Sequence, residues 1–277
     1  MIRQRNYEDR YCLFLDILGF QAHVDETISP KAESRKPMTF LRLKGALNRI
    51  AAGVNYQKRT EVAGESKPTS RRVTQFSDSV VISYLKSDQQ SSGVRDLLWD
   101  VHRLQLDLVP LGVLLRGSIT SGPLFHDKKF VFGPALNEAV ALEKLANYPR
   151  VILDGQFLEE AGVTRPSRLR KSKSVRRTYS SMVAEDFDGL YYVDYFNVHP
   201  QDFNDDRDAL REYLESLRTL IKGLANKKDP SIKVKHSWLR TKFNDMVDHL
   251  ANSGFSNVAG HAVPEGDIDL FRQLKPF

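Results

Sequence analysis

The stretch Tyr11-Cys12-Leu13-Phe14-Leu15-Asp16-Ile17-Leu18-Gly19-Phe20 is apolar at nearly every position and carries a single charge, the carboxylate of Asp16. A strand covered on both faces reads this way, as the central strand of a mixed helix-and-sheet domain does. Burying a carboxylate there is costly unless it is paired or holds a cation. The ordinary alternative is that Asp16 ends the strand and caps a neighbouring segment.

Working outward, residues 24–37 are polar and hold Pro30 and Pro37, a loop or a frayed helix start. Residues 38–54 place Phe40, Leu41, Leu43, Leu47 and Ile50 at helical spacing. Residues 72–75 and 79–84 read as a hairpin whose turn is Phe76-Ser77-Asp78. A second helix is expected over 91–109, a strand over 112–121 and a hairpin over 125–133 turning on Asp127 and Lys128. A helix over 134–147, a strand over 151–153 and a short helix over 156–161 follow. Residues 189–196 form an aromatic strand, and two helices, 206–226 and 231–251, close the chain. The order β-α-β-β-α-β predicts an α+β, ferredoxin-like sheet with helices on one face. The expected organisation is a catalytic domain over 1–200 and a helical extension over 201–277 packed on it.

The chain has 277 residues, 41% of them hydrophobic and 27% charged, which excludes disordered and collagen-like classes and suffices for a large core. No apolar run approaches the roughly 18 residues of a membrane-spanning helix, so no membrane partner is expected. Residues 1–10 carry several charges and no apolar stretch, so a secretory leader is not expected either. The single cysteine, Cys12, rules out an intrachain disulfide and reads as a buried core thiol; a cytoplasmic location is the expectation. A net charge of +6 suits a polyanionic partner. Most of the excess lies in residues 165–177, where Arg165, Arg168, Arg170, Lys171, Lys173, Arg176 and Arg177 meet no acid. That segment is either a solvated loop or a clamp for phosphates. Seven histidines show no metal-ligand spacing, no Walker A loop is present, and Trp99 and Trp238 read as packing residues. No nucleic-acid-binding module accompanies the basic charge, so nucleic acid is not expected as a partner.

Asp78 is the second unusual acid. Turn chemistry alone accounts for an aspartate there. However, Asp16 and Asp78 end strands that would be neighbours in a β-α-β-β sheet, so they can converge. Two hard carboxylates and a backbone carbonyl suit Mg²⁺ or Mn²⁺, with phosphate oxygens and water completing the shell.

Four motifs carry a resemblance. Phe14-Leu-Asp16-Ile17-Leu-Gly19-Phe20 resembles F-x-D-I-x-G-F, the opening motif of class III nucleotide cyclases. Phe76-Ser77-Asp78 resembles their second metal motif at a hairpin tip. Arg116-Gly-Ser-Ile-Thr-Ser-Gly122 resembles their R-x-G-I-x-x-G strand, with Ser118 at the first glycine. Gly133-Pro-Ala-Leu-Asn137-Glu-Ala139 is similar to G-x-x-V-N-x-A. The motifs stand in the family's order and cover residues 11–153. Length and tail are similar to the short pyrimidine cyclases of bacterial Pycsar antiphage systems.

The resemblance implies two divalent metals, Mn²⁺ or Mg²⁺, held by Asp16, Asp78 and the Ile17 carbonyl. It implies phosphate and substrate contacts from Phe14, Gly19 and Phe20, and a catalytic role for Asn137. It implies a homodimer with shared active sites, because the family splits these residues between subunits. Two departures matter. The family's transition-state arginine, four residues after the motif asparagine, is Ala141; Arg116 or the 165–177 loop are the candidates to replace it. The purine-reading lysine and acid are Thr74 and Phe130, which favours a smaller base; if the hairpin register differs, Phe130 is core instead. The implied activity is conversion of UTP to 3′,5′-cyclic UMP and pyrophosphate, a uridylate cyclase serving antiphage defence. The alternatives are a cytidylate or purine cyclase and a degenerate nucleotide-binding sensor.

Overall fold

Strand β1 (Glu8–Ile17) is hydrogen-bonded on both sides and runs through the middle of the sheet. The computed structural model describes residues 6–28, 39–53, 70–87, 93–162, 182–253 and 276–277. After β1 come α1 (Phe20–Ile28), α2 (Phe40–Gly53), β2 (Arg72–Phe76), β3 (Ser79–Leu85), α3 (Gly93–Leu108), β4 (Leu115–His126) and β5 (Val131–Phe132). They are followed by α4 (Pro134–Glu143), β6 (Val151–Leu153), α5 (Gly155–Glu160), β7 (Val183–Glu185), β8 (Tyr191–Val193), α6 (Arg207–Leu224) and α7 (Pro230–Ser253). The sheet order is β2-β3-β1-β4-β6-β8-β7, with β5 paired to β4. Among the described residues, only β4 and β6 pair in parallel. This is the α+β order the sequence predicts, with the two C-terminal helices in place.

Alternation along the strands divides the sheet into two faces. Tyr11, Leu13, Leu15 and Ile17 of β1 point to one face with Val80, Ile82, Tyr84 and Ile119. There they form the main core with Leu43, Ala46 and Ile50 of α2, Leu97, Leu98 and Val101 of α3, and Phe157 of α5. Each such aliphatic side chain contributes about 1.5–3 kcal/mol on burial. Cys12 and Phe14 point to the other face and pack with Val81, Leu124, Ala135 and Ala139. The expectation of helices on one face alone therefore needs correcting: α4 lies on the face opposite α2, α3 and α5. It can approach closely because its inward positions are alanines, and because Ser118 and Thr120 donate hydroxyl hydrogens to the Ala139 and Ala135 carbonyls, at 2.7 and 2.8 Å. Cys12 is fully buried, and burial pushes its thiol up to about 12, consistent with an inert core thiol.

A second correction concerns the end of β1. The strand stops at Ile17, and Phe20 already opens α1, where sequence reading continued the strand to Phe20 and expected a loop or a frayed helix start from residue 24. Gly19 makes the change of direction at φ +73°, a conformation that a side chain disfavours. Gly117 has a different role: a Cβ there would stand 2.3 Å from the Phe14 carbonyl oxygen, so glycine lets β4 lie against β1. Near the far edge, Arg150 is fully buried and ion-paired with Asp186 and Asp188, which ties β6 to the turn between β7 and β8. The aromatic strand is short, Tyr191–Val193, and β7 pairs with it.

The chain divides into two compact units, Met1–Val193 and Asp194–Phe277. In the second unit Asp206 caps α6 by accepting from the Asp208 and Ala209 amides. Helix α6 buries Leu210, Tyr213, Leu214, Leu217 and Ile221 along one stripe. The Tyr213 hydroxyl donates to the Tyr195 carbonyl at 2.7 Å, and Trp238 of α7 meets Phe196 edge-on. Trp238 is thus a packing residue as expected, whereas Trp99 on α3 is 43% exposed.

Candidate active site

Asp16 and Asp78 meet because of backbone pairing. Asp16 stands opposite Ser79 in the β1–β3 ladder and opposite Arg116 in the β1–β4 ladder. Asp78 sits in the two-residue turn between β2 and β3, where Ser77 adopts φ +51°. The Ile17 amide donates to the Asp78 carbonyl at 3.3 Å, which ties the hairpin tip to the end of β1. The Asp78 carboxylate is then close enough for its charge to act on Asp16. Ser79 Oγ donates to Asp16 Oδ1 at 3.4 Å, and an Arg116 Nη stands 3.5 Å from Asp16 Oδ2.

Partial burial, then the negative charges of Asp78 and Glu143, push the Asp16 carboxyl up to about 6; Arg116 opposes this. Two acids close together in a half-buried place, with one guanidinium shared between Asp16 and Glu143, form a site that gains from a divalent cation. Asp16, Asp78 and the Ile17 carbonyl supply hard oxygen donors of the kind Mg²⁺ and Mn²⁺ take. The Ile17 side chain is buried in the core, so only its backbone can contribute. Among the described residues no cluster of three or more His, Cys, Asp or Glu side chains suits a metal, so the remaining ligands would have to come from substrate and water.

Gly19 and Phe20 sit where β1 turns into α1. The His23 amide donates to the Gly19 carbonyl at 3.1 Å, closing the first turn and leaving the preceding amides without intrahelical partners. These amides lie within four residues of Asp16, so an anion bound by them lies next to the carboxylate pair. Phe14 is half-buried on the α4 face, on the same side of the sheet as Asp16.

Arg116 is bound to Asp16 and also ion-paired with Glu143 of α4, a residue only 5% exposed. Glu143 was not singled out from the sequence. The signal was there, however: the inward stripe of α4 reads Ala135, Ala139, Glu143, an acid where the spacing predicts core. Asn137 and Ala141 are exposed on α4 one turn apart, away from that stripe.

Thr74 lies on β2 and Phe130 in the turn between β4 and β5. The Thr74 hydroxyl is bonded to His126 Nε2 at 3.0 Å, and His126 is buried at the end of β4. Phe130 is 53% exposed in the turn leading to β5, so its reading as a core residue is wrong. Asp127 fixes that turn by accepting from the Lys129 and Phe130 amides at 2.7 and 2.6 Å, and Lys129 lies over the Phe130 ring. The basic segment 165–177 lies outside the described residues. Among those residues, no helix is long and apolar enough to cross a membrane.

No family model matches the chain, and no curated protein does. Solved structures that it resembles include nucleotide cyclases. The adenylyl cyclase CyaB from P. aeruginosa matches at 13% identity and a TM-score of 0.42, over 57% of this chain and 82% of that one. The monomeric guanylyl cyclase domain of RhoGC from the aquatic fungus Blastocladiella emersonii matches at 11% and 0.42, over 68% and 95%. The guanylate cyclase domain of RhGC from Catenaria anguillulae, in complex with GTP, matches at 11% and 0.39, over 68% and 97%.

Proposed function

We propose that this chain is a class III-type nucleotide cyclase that converts UTP to 3′,5′-cyclic UMP and pyrophosphate. The observation that carries this reading is the pairing of Asp16 with Asp78 beside the glycine-initiated turn into α1. In the reaction the ribose 3′-hydroxyl loses its proton, its oxygen bonds to the α-phosphorus, and the bond from that phosphorus to the β-phosphate bridging oxygen breaks. Asp16, Asp78 and the Ile17 carbonyl would hold two Mg²⁺ or Mn²⁺ ions, which supply charge neutralisation of the triphosphate and acidification of the hydroxyl. The amides at Gly19 and Phe20 bind phosphate oxygens. Arg116, held by Asp16 and Glu143, fixes the orientation of Asp16 and brings positive charge next to the reacting phosphate.

Asn137 is exposed on α4, so it is free to reach the site of a second copy. A homodimer with two shared sites follows, each combining one chain's carboxylates with the other's asparagine. Thr74 and the exposed Phe130 ring bound the base pocket, where phenylalanine shortens the space a purine needs. The product would act as a signal in antiphage defence, in the cytoplasm. Ala141 favours a second reading, a nucleotide-binding sensor of cyclase ancestry, because an alanine one turn beyond Asn137 supplies no transition-state cation.

The test is incubation of purified protein with ATP, GTP, CTP and UTP, singly and in equimolar mixture, with Mn²⁺ or Mg²⁺. Products are identified by mass spectrometry. Cyclic UMP is expected to dominate. A dominant cyclic purine refutes the pyrimidine reading, and binding without any cyclic product selects the sensor.

A further inference from the structure

Thr74 is joined to the interior by a chain of hydrogen bonds that crosses four strands. Arg10 on β1 is 2% exposed, and its Nη1 donates to Ser83 Oγ at 2.9 Å. Ser83 on β3 is fully buried and lies 2.8 Å from His126 Nδ1 on β4. His126 Nε2 lies 3.0 Å from Thr74 Oγ1 on β2. A guanidinium only donates, so the direction is set at the Arg10 end. Ser83 accepts from Arg10, and its own hydrogen must find an acceptor inside the protein; His126 Nδ1 is the one at hand. That makes Nδ1 the unprotonated nitrogen. The neutral ring then carries its hydrogen on Nε2 and donates it to Thr74 Oγ1. Burial and the nearby charges of Arg10 and Arg72, opposed by Asp127, hold the imidazole neutral, with its pKa lowered to about 4. The Thr74 oxygen uses one lone pair to accept from the histidine, which leaves its own hydrogen to be donated elsewhere. Thr74 is only half-buried, so that hydrogen is within reach of a ligand.

We propose that Arg10, Ser83 and His126 polarise Thr74 into a fixed hydrogen-bond donor, so that the site selects a base offering a carbonyl oxygen to it, uracil O4 over the cytosine 4-amino group. The selection of UTP over CTP rests on the cyclase reading above; the polarity of the chain does not. A 4-amino group could meet only the remaining lone pair of Thr74 and would leave the threonine hydrogen unpaired, which disfavours CTP by roughly tenfold. In this account His126 is a positioning residue that acts through Thr74.

Two measurements test this. The first is ¹⁵N NMR of His126 in the full-length protein at neutral pH. The Nε2–H tautomer is expected, and Ser83→Ala should release it by removing the donor to Nδ1. An Nδ1–H tautomer in the wild-type protein overturns the proposal whether or not the protein is a cyclase. The second compares binding and turnover of UTP and CTP, with non-hydrolysable analogues for binding. Thr74→Val should bring the UTP:CTP ratio close to one, and His126→Phe should lower it about tenfold by freeing the threonine rotor. A ratio unchanged by Thr74→Val overturns the proposal. UTP-selective binding without turnover upholds it and refutes the cyclase reading, while no binding of either nucleotide refutes both.

Discussion

Replacing Asp16 with asparagine should make the metal-free protein more stable and abolish cyclisation. Burial and the adjacent acids raise the Asp16 carboxyl from 3.8 to about 6. At about 1.4 kcal/mol per unit, that is a penalty of about 3 kcal/mol on the ionised form. The side chain is still 22% exposed, and solvent screening brings the figure down to about 1–2 kcal/mol. The sign follows from proton linkage. Between about pH 4 and pH 6 the folded chain holds a proton that the unfolded chain has released, so stability falls as pH rises through that window and stays lowered above it. Asparagine keeps the volume and an acceptor for Ser79 but carries no charge, and Arg116 retains Glu143. In chelator at pH 7.5 the variant should melt about 2–5 °C above wild type. The difference should vanish near pH 4. Added Mn²⁺ should raise the wild-type midpoint and leave that of the variant in place. Calorimetry and a product assay, run on the same samples, report the two effects separately. An Asp16→Asn protein that melts below wild type at pH 7.5, or turns over at the wild-type rate, would refute the reasoning.

Asp16→Asn and Asn137→Ala chains, each inactive alone, should regain activity when subunits are exchanged, because one of the two shared sites in each heterodimer is intact. Differently tagged chains establish that exchange occurred, and no recovery would place the whole site within one chain. Gly117→Ala should lower stability by about 1–3 kcal/mol in urea titration, since its Cβ would meet the Phe14 carbonyl oxygen at 2.3 Å. A neutral outcome there would mean that β1 and β4 separate more readily than their pairing implies.

Much of the fold could be read from pattern alone. The apolar run of β1, the hairpin around Ser77-Asp78 and the helices α2, α3, α4, α6 and α7 follow from short-range periodicity, which is fixed by backbone geometry within a few residues. The two acids were visible for the same reason: a charge inside an apolar run, and an aspartate at a hairpin tip, are anomalies of local context. The start of α1 at Phe20 was missed because one glycine with positive φ changes the direction of the chain while the apolar pattern continues.

What only the tertiary structure decided were relations between strands far apart in sequence. Glu143 and Arg116 meet because α4 lies on the face opposite the main core, a choice that depends on alanines packing against Cys12 and Val81. The link from Arg10 through Ser83 and His126 to Thr74 joins four strands whose register no single segment specifies. Side-chain type, in residues such as Asp16 and Thr74, states which chemistry is available. Sheet register and helix placement state which of those groups share a site, because distances of about 3 Å between remote residues are set by long-range packing.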